Sequence, residues 1–155
     1  MAVEIERKYL VDNDKWKDHI EAETTIRQAY LATVAKSSIR VRICQGRAWL
    51  NIKGATVGIR RREYEYEIPL ADAEEMIAEL RDGAVIHKVR YKVRSGDHLW
   101  DLDLFHGENA GLVVAEIELQ REDEPFVLPE WAGAEVSGDS RYYNASLVKY
   151  PYRAW

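Results

Sequence analysis

The first eight residues of the chain carry acidic and basic side chains at alternating positions. Glu4, Glu6 and Lys8 precede an apolar run at residues 9–11. The side chains of a strand alternate between its two faces, so these three would stand in a row on one face. Two carboxylates and an ammonium in such a row could hold a hard cation together with the phosphate that the cation neutralises. A strand in contact with solvent would show the same motif, so the motif gains weight only if it recurs.

The same division into a polar face and an apolar face recurs along the chain. Later segments carry charged or polar side chains at every second position, with apolar side chains between them. The polar positions are Arg40 and Arg42; Asn51 and Lys53; Glu63, Glu65 and Glu67; Lys88, Arg90, Lys92 and Arg94; Asp101 and Asp103; and Glu116 and Glu118. An antiparallel sheet with one face in water is the simplest explanation of this pattern.

The charges within each segment have mostly one sign, and this argues against a simple solvated face. Rows of like charge repel one another unless something of opposite sign lies between the strands. If the sheet closes with its polar faces inward, a polyanion would lie between the cationic strands and metal ions between the acidic ones. A barrel of eight strands has an interior of the size needed for one small ligand.

Composition sets the limits of the interpretation. The chain has 155 residues, of which 46% are hydrophobic and 32% charged, so we expect one globular domain over residues 1–155. The net charge of −5 and the sequence pI of about 5.5 argue against nucleic-acid binding. The single cysteine, Cys44, fits a reducing, cytoplasmic location, and we expect neither a signal peptide nor a membrane span.

Periodicity predicts a chain made mainly of strands. Three short helices are expected, over residues 13–20, 71–81 with Asp72 as the N-cap, and 140–149. The expected strands cover residues 3–11, 25–33, 38–44, 47–54, 58–69, 84–94, 98–105 and 112–121. About eight strands and a few helices indicate an all-β or α+β fold rather than alternating βαβ units.

The ordered set of motifs resembles the CYTH superfamily, the triphosphate tunnel metalloenzymes, over essentially the whole chain. The motifs that carry the resemblance are Glu4-x-Glu6-x-Lys8, Ile39-Arg40-Val41-Arg42, Lys53, the row from Glu63 to Glu67, Lys88-Val89-Arg90, Asp103, Glu116-Ile117-Glu118 and the closing segment Ser140-Arg141-Tyr142-Tyr143-Asn144 through Leu147. The resemblance implies a closed antiparallel barrel of eight strands around a polar tunnel, with short helices outside. It also implies a divalent metal, usually Mg²⁺ or Mn²⁺, and a triphosphate substrate.

With that resemblance, the charged side chains can be given expected roles. We expect the metal ligands to be Glu4, Glu6, Glu116 and Glu118, with Asp103 and Glu65 near a second metal. The expected phosphate ligands are Lys8, Arg40, Arg42, Lys53, Arg62, Lys88 and Arg90, although the run around Arg62 could also be a solvated basic surface. Crowding by other cations lowers the pKa of a lysine, so either Lys8 or Lys88 could act as the general base. Tyr30 could orient the attacking water, or could simply pack in the core.

The expected activity is metal-dependent hydrolysis of inorganic triphosphate to diphosphate and phosphate. Within the family, a class IV-type adenylate cyclase and a thiamine triphosphatase are the alternatives. A non-catalytic barrel that binds polyphosphate or nucleotides is an alternative of another class. The expected partner is triphosphate or a small molecule that carries it, without nucleic acid or membrane. The aromatic tail, with Trp131, Tyr150, Tyr152 and Trp155, is expected to pack on the barrel or to form a homodimer contact.

Overall fold

The computed structural model describes residues 3–155, and strands dominate it. The strands are β1 (Val3–Val11), β2 (Ile20–Val34), β3 (Ser37–Cys44), β4 (Arg47–Gly54), β5 (Arg60–Ile68), β6 (Ile86–Ser95), β7 (His98–His106), β8 (Val113–Glu118) and β9 (Ala132–Glu135). The α-helices are α1 (Leu70–Leu80) and α2 (Asn144–Leu147). Single 3₁₀ turns lie at Lys15–His19, Gly107–Asn109, Ser140–Tyr142 and Tyr152–Ala154.

Eight of the strands form a closed antiparallel barrel, as the sequence predicts. The order around the barrel is β1, β5, β4, β3, β2, β6, β7 and β8, and β8 pairs again with β1. The seam between β1 and β5 is short, with three residue pairs from Val3–Arg62 to Ile5–Arg60. Beyond the seam, the same edge of β1 pairs with β9 at Tyr9 and Val11. Within residues 3–155, no helix has the length and apolar character needed to cross a membrane.

The apolar faces of the strands point outward and are covered by the remaining segments. Trp100 and Trp131 lie in one buried cluster on the outside of β7, while Val41 and Ala48 pack beneath α1 in another. A third cluster holds the C-terminal segment, where Leu147 is fully buried. The hydrophobic effect therefore fixes the covering segments to the outside of the barrel and leaves the polar faces to line its interior.

Several element boundaries differ from the prediction. Strand β2 begins at Ile20 rather than residue 25, because its first half pairs with β6 despite being solvent-exposed. Strand β9 was not predicted, since four residues contain too little alternation to be recognised. Pro69 rather than Asp72 occupies the N-cap of α1, and Asp72 lies in the first turn. The closing helix is short, because a 3₁₀ turn precedes it at Ser140–Tyr142.

Candidate active site

The barrel encloses a cavity of about 540 Å³ that is lined mainly by charged side chains. Seven acidic and seven basic residues contribute to its surface. The acidic residues are Glu4, Glu6, Glu63, Glu65, Asp101, Glu116 and Glu118, and the basic residues are Lys8, Arg40, Arg42, Lys53, Arg61, Lys88 and Arg90. Charges of both signs in one enclosed volume favour a ligand that itself combines anionic and cationic parts.

Strand order separates these charges into two facing walls. All seven acidic residues lie on β7, β8, β1 and β5, which are neighbours around the barrel. Five of the seven basic residues lie on β4, β3 and β6, with the uncharged inner face of β2 between β3 and β6. A cation would be attracted to the first wall and an anion to the second.

Carboxylates on the acidic wall are close enough to compete for protons. Burial, followed by the charges of Glu116 and Glu4, raises the pKa of Glu6 well above its usual range. Burial also opposes the ionisation of Glu4, but its hydrogen bond with Glu63 and the Lys53 ammonium at 3.2 Å hold the pKa of Glu4 well below its usual range. Burial and the hydrogen bond with Glu4 raise the pKa of Glu63. This wall therefore holds more carboxylates than its own cations neutralise.

The donor set of this wall fits a hard divalent cation. Among residues 3–155, no group of three or more acidic, His or Cys side chains is arranged to hold a metal ion. Mg²⁺ in proteins is usually held by one or two carboxylates, and it takes its other oxygens from water and substrate phosphates. The pairs Glu4–Glu6 and Glu116–Glu118 lie on adjacent strands and offer that kind of site.

On the basic wall, a single buried carboxylate holds two cations. The Lys88 ammonium donates to Asp103 Oδ2 at 2.8 Å, and Arg90 donates to both Asp103 oxygens at 2.8 and 2.9 Å. Burial and the neighbouring Arg90 and Arg42 lower the pKa of Lys88 to about 7, although the charge of Asp103 opposes this. A lysine in this position can lose and regain a proton near neutral pH.

The prediction that Asp103 is a metal ligand needs correction. Asp103 is fully buried, does not line the cavity, and its oxygens are occupied by Lys88 and Arg90. Burial opposes its ionisation, but the charges of Arg90 and Lys88 hold the pKa of Asp103 well below its usual range. Asp103 therefore fixes the positions of Lys88 and Arg90. Asp101, two residues earlier, is the β7 carboxylate that faces the cavity.

The prediction that Arg62 binds phosphate also needs correction. Arg62 is exposed on the outer face of β5, where its side chain donates to the Tyr64 hydroxyl at 3.4 Å. Arg61 lines the cavity instead, together with Glu63 and Glu65, because strand alternation places residues 61, 63 and 65 on the same face.

The remaining predicted site residues all line the cavity. Lys8 donates to the Tyr142 carbonyl at 3.1 Å and lies 3.6 Å from Glu116. Lys53 lies between Glu4 at 3.2 Å and Glu63 at 3.1 Å. Arg40, Arg42, Glu65, Glu118 and the buried Tyr30 complete the predicted set. Burial and the charges of Arg40 and Arg90 lower the pKa of Arg42 to about 10. The positive charges of the basic wall are therefore not fully compensated by carboxylates.

Several lining residues were not predicted, because they are neutral or lie in irregular segments. Ser137, Tyr143 and Asn144 reach the cavity from the C-terminal segment. Fully buried Gln28 and Asn51 lie behind the basic wall, where each amide bonds to charged neighbours. Neutral polar side chains leave no charge pattern, so the alternation placed Asn51 on the polar face and the closing motif included Tyr143 and Asn144 without indicating a role for any of them.

Comparisons with known proteins match the whole fold. The model of the CYTH domain family matches residues 2–150. An inorganic triphosphatase from Acetivibrio thermocellus is 44% identical over 153 residues, which cover 99% of this chain and 97% of the relative. An inorganic triphosphatase from Nitrosomonas europaea is 35% identical over 149 residues, covering 94% and 96%. A crystal structure of an inorganic triphosphatase superposes with a TM-score of 0.69 at 31% identity, covering 96% of this chain and 95% of that chain.

Repulsion among the carboxylates of the acidic wall should lower the stability of the metal-free protein. Ionised Glu6 is unfavourable in the folded state, so Glu6→Gln should raise the melting temperature of the metal-free protein by a few degrees near pH 7.5, about 1–2 kcal/mol in stability. Because the pKa of Glu6 is raised on folding, the gain should disappear when the pH falls below about 4.5, where Glu6 is protonated in both states. Thermal unfolding at the two pH values measures this.

The matched control is Glu75→Gln, which removes a charge from the exposed side of α1 and should change the melting temperature little. Divalent metal should stabilise the wild type and the control more than Glu6→Gln. A lower melting temperature for metal-free Glu6→Gln than for the wild type at pH 7.5 would contradict the repulsion described above.

Proposed function

The chain belongs to the CYTH domain family, and we propose that it hydrolyses inorganic triphosphate to diphosphate and phosphate with Mg²⁺ or Mn²⁺ in the barrel. The observation that carries this proposal is the enclosed cavity with an acidic wall facing a basic wall. The two similar proteins named inorganic triphosphatase support it. We also infer a cytoplasmic location, which the single cysteine fits.

The basic wall is suited to a linear polyphosphate. Arg40, Arg42, Lys53 and Arg90 line it, and Arg61 lines the cavity from β5, the neighbour of β4. Guanidinium groups donate in a planar fork that matches two phosphate oxygens at once. Several such groups along one wall can bind neighbouring phosphoryl groups of one substrate and hold it in a fixed direction. Phosphoryl transfer needs this positioning and charge stabilisation more than covalent chemistry.

The acidic wall supplies the metal ligands. Glu4, Glu6, Glu116 and Glu118 would hold the cation, and their mutual repulsion in its absence favours binding. The metal, when bound, neutralises phosphate charge and polarises the bond that breaks. The cavity carries equal numbers of acidic and basic groups, so a polyanion that enters alone has little net attraction to it.

Lys88 is the better candidate for the general base. A neutral lysine has two N–H groups and one lone pair, and its N–H groups can be occupied by Asp103 at 2.8 Å and Asn144 at 3.2 Å. The lone pair is then free to take a proton from an attacking water. Lys8 has the same kinds of acceptor, the Glu116 carboxylate at 3.6 Å and the Tyr142 carbonyl at 3.1 Å. Lys88 is preferred because burial and the neighbouring Arg90 and Arg42 lower its pKa to about 7. Tyr30 lines the same cavity, where its hydroxyl can orient the water.

Product analysis tests the proposed function. Protein supplied with Mg²⁺ should convert triphosphate to equal amounts of diphosphate and phosphate, which ³¹P NMR resolves. ATP and thiamine triphosphate are supplied in parallel, and cyclic AMP is measured by chromatography. Faster turnover of ATP to cyclic AMP, or of thiamine triphosphate, would replace the substrate in the proposal. Tight binding of triphosphate without any turnover would mean a binding protein.

Adjacent arginines on β5 give a matched pair of variants. Arg61 lines the cavity and Arg62 lies outside, so Arg61→Ala should raise the KM for triphosphate about tenfold or more, while Arg62→Ala should leave it unchanged. Steady-state kinetics of both variants measure the difference. Equal losses in the two variants, or a larger loss in Arg62→Ala, would contradict the inward orientation of Arg61.

The pH dependence of the rate tests Lys88. Its pKa near 7 means that the basic form increases as pH rises through neutrality, so kcat should rise over the same range. Arginine stays protonated, so Lys88→Arg should lower kcat by about a hundredfold or more and remove this rise, with a smaller effect on KM. Lys36→Arg is the control, because Lys36 is exposed in the turn between β2 and β3 and does not line the cavity. If Lys88→Arg keeps the wild-type pH profile, then Lys88 is not the base.

A further inference from the structure

Two neutral amides connect the basic wall to the C-terminal segment. Arg42 Nε donates to Gln28 Oε1 at 3.2 Å, and Gln28 Nε2 donates to Asn144 Oδ1 at 2.8 Å. Lys88 Nζ donates to the same Asn144 oxygen at 3.2 Å. Gln28 is fully buried, so a hydrogen bond that its amide fails to make is costly.

The direction of this chain of hydrogen bonds is set by Arg42. A guanidinium group has donors and no acceptor, so the oxygen of Gln28 must face it. The Gln28 nitrogen must then face Asn144, which has to present its own oxygen to two donors. Rotating either amide by half a turn would bring N–H groups face to face and leave buried donors unpaired.

The amide nitrogen of Asn144 is consequently left to face the cavity. Asn144 lines the cavity, and among the residues that the structure describes its Nδ2 has no hydrogen-bond acceptor. The neighbouring Lys88 side chain contacts the same amide, so this donor lies beside the proposed base. Phosphate oxygens are acceptors, and a hydrogen bond from an N–H donor to a charged phosphate is stronger than one between neutral groups.

We propose that Asn144 is a further substrate-contacting residue, which donates its side-chain N–H to the phosphoryl group beside Lys88, and that Gln28 is the positioning residue that orients it. This proposal rests on the proposed function, because it takes the phosphoryl group to be that of bound triphosphate. It gives a role to two neutral residues within a site that otherwise acts through charge.

The backbone around Asn144 is suited to this role. Asn144 begins α2, where its carbonyl accepts from the Val148 amide, and no side chain caps the start of this helix. The preceding residues are fixed to β1, because the Tyr142 carbonyl accepts from Lys8 and the Ser137 hydroxyl accepts from the Lys8 amide. The segment thus crosses from β1 to β2 and β6, and it holds the amide at one end of the cavity.

Kinetics of a double-mutant cycle test the proposal. Asn144→Ala removes the donor and should lower kcat/KM for triphosphate about tenfold or more, the typical effect of losing one hydrogen bond to a charged group. Gln28→Met fills the same space but releases the Asn144 amide, so it should lower kcat/KM several-fold. If Gln28 acts through Asn144, the double variant should lose no more than Asn144→Ala alone. Melting temperatures verify that each variant is folded.

Two further variants supply a control and a replacement in case Asn144→Ala does not fold. Gln120→Met, at an exposed position, is the control and should match the wild type. If Asn144→Ala does not fold, the isosteric Asn144→Asp replaces it; a carboxylate facing phosphate should lose more than tenfold in kcat/KM, with little change in melting temperature.

A folded Asn144→Ala that stays within twofold of wild-type kcat/KM would overturn the role of Asn144. Additive losses in the double variant would overturn the role of Gln28. Absence of wild-type turnover would instead count against the proposed function, and calorimetry with triphosphate would then be the readout. Binding equal in wild type and Asn144→Ala would overturn the contact, and weaker binding by the variant would support it.

Discussion

A buried charge is tolerable only if a charge of opposite sign or a hydrogen bond compensates for lost hydration, and this barrel interior consists largely of charges. The strand order provides the compensation. Lys53 lies between Glu4 and Glu63, Lys8 lies against Glu116, and Asp103 on β7 holds two cations of β6. Lys53–Glu63 and the Asp103 pairs therefore join the two walls at their boundaries, while Lys8 neutralises a carboxylate within the acidic wall.

Compensation is incomplete at Glu6 and at Lys88, and there the site gains its chemistry. Glu6 lies between carboxylates, which raise its pKa, and Lys88 shares one carboxylate with Arg90. Each of these positions would be stabilised by a ligand of opposite sign: a cation at the first and a phosphate at the second. The uncompensated charges therefore lower the stability of the empty barrel and favour binding of a ligand that carries both charges. Such a loss of stability is common at functional sites.

Alternation of charged and apolar residues predicted which side chains share a face, and the resemblance to the CYTH superfamily implied the closed barrel and the metal and phosphate ligands. The wrong predictions have physical causes. The same alternation places Arg61 rather than Arg62 inside, so that error was avoidable. The sequence does not distinguish Asp103 from Asp101, because both lie on the same face of β7. The difference arises from the register of β6 and β7, which places Asp103 opposite Arg90 and occupies its oxygens. That register cannot be read from the sequence. Gln28 and Asn144 are 116 positions apart, and neutral amides have no pattern that reveals long-range pairing. Strand β9 was too short to predict.

Two facing walls of balanced charge should bind a polyanion tightly only together with a divalent cation. Isothermal titration calorimetry with the non-hydrolysable analogue imidotriphosphate, in excess Mg²⁺ and then in excess chelator, measures this dependence. We expect tight binding with Mg²⁺ and affinity at least about tenfold weaker without it, with a reciprocal gain in metal affinity when the analogue is bound. Equal affinity with and without Mg²⁺ would contradict this expectation, because the basic wall would then suffice alone.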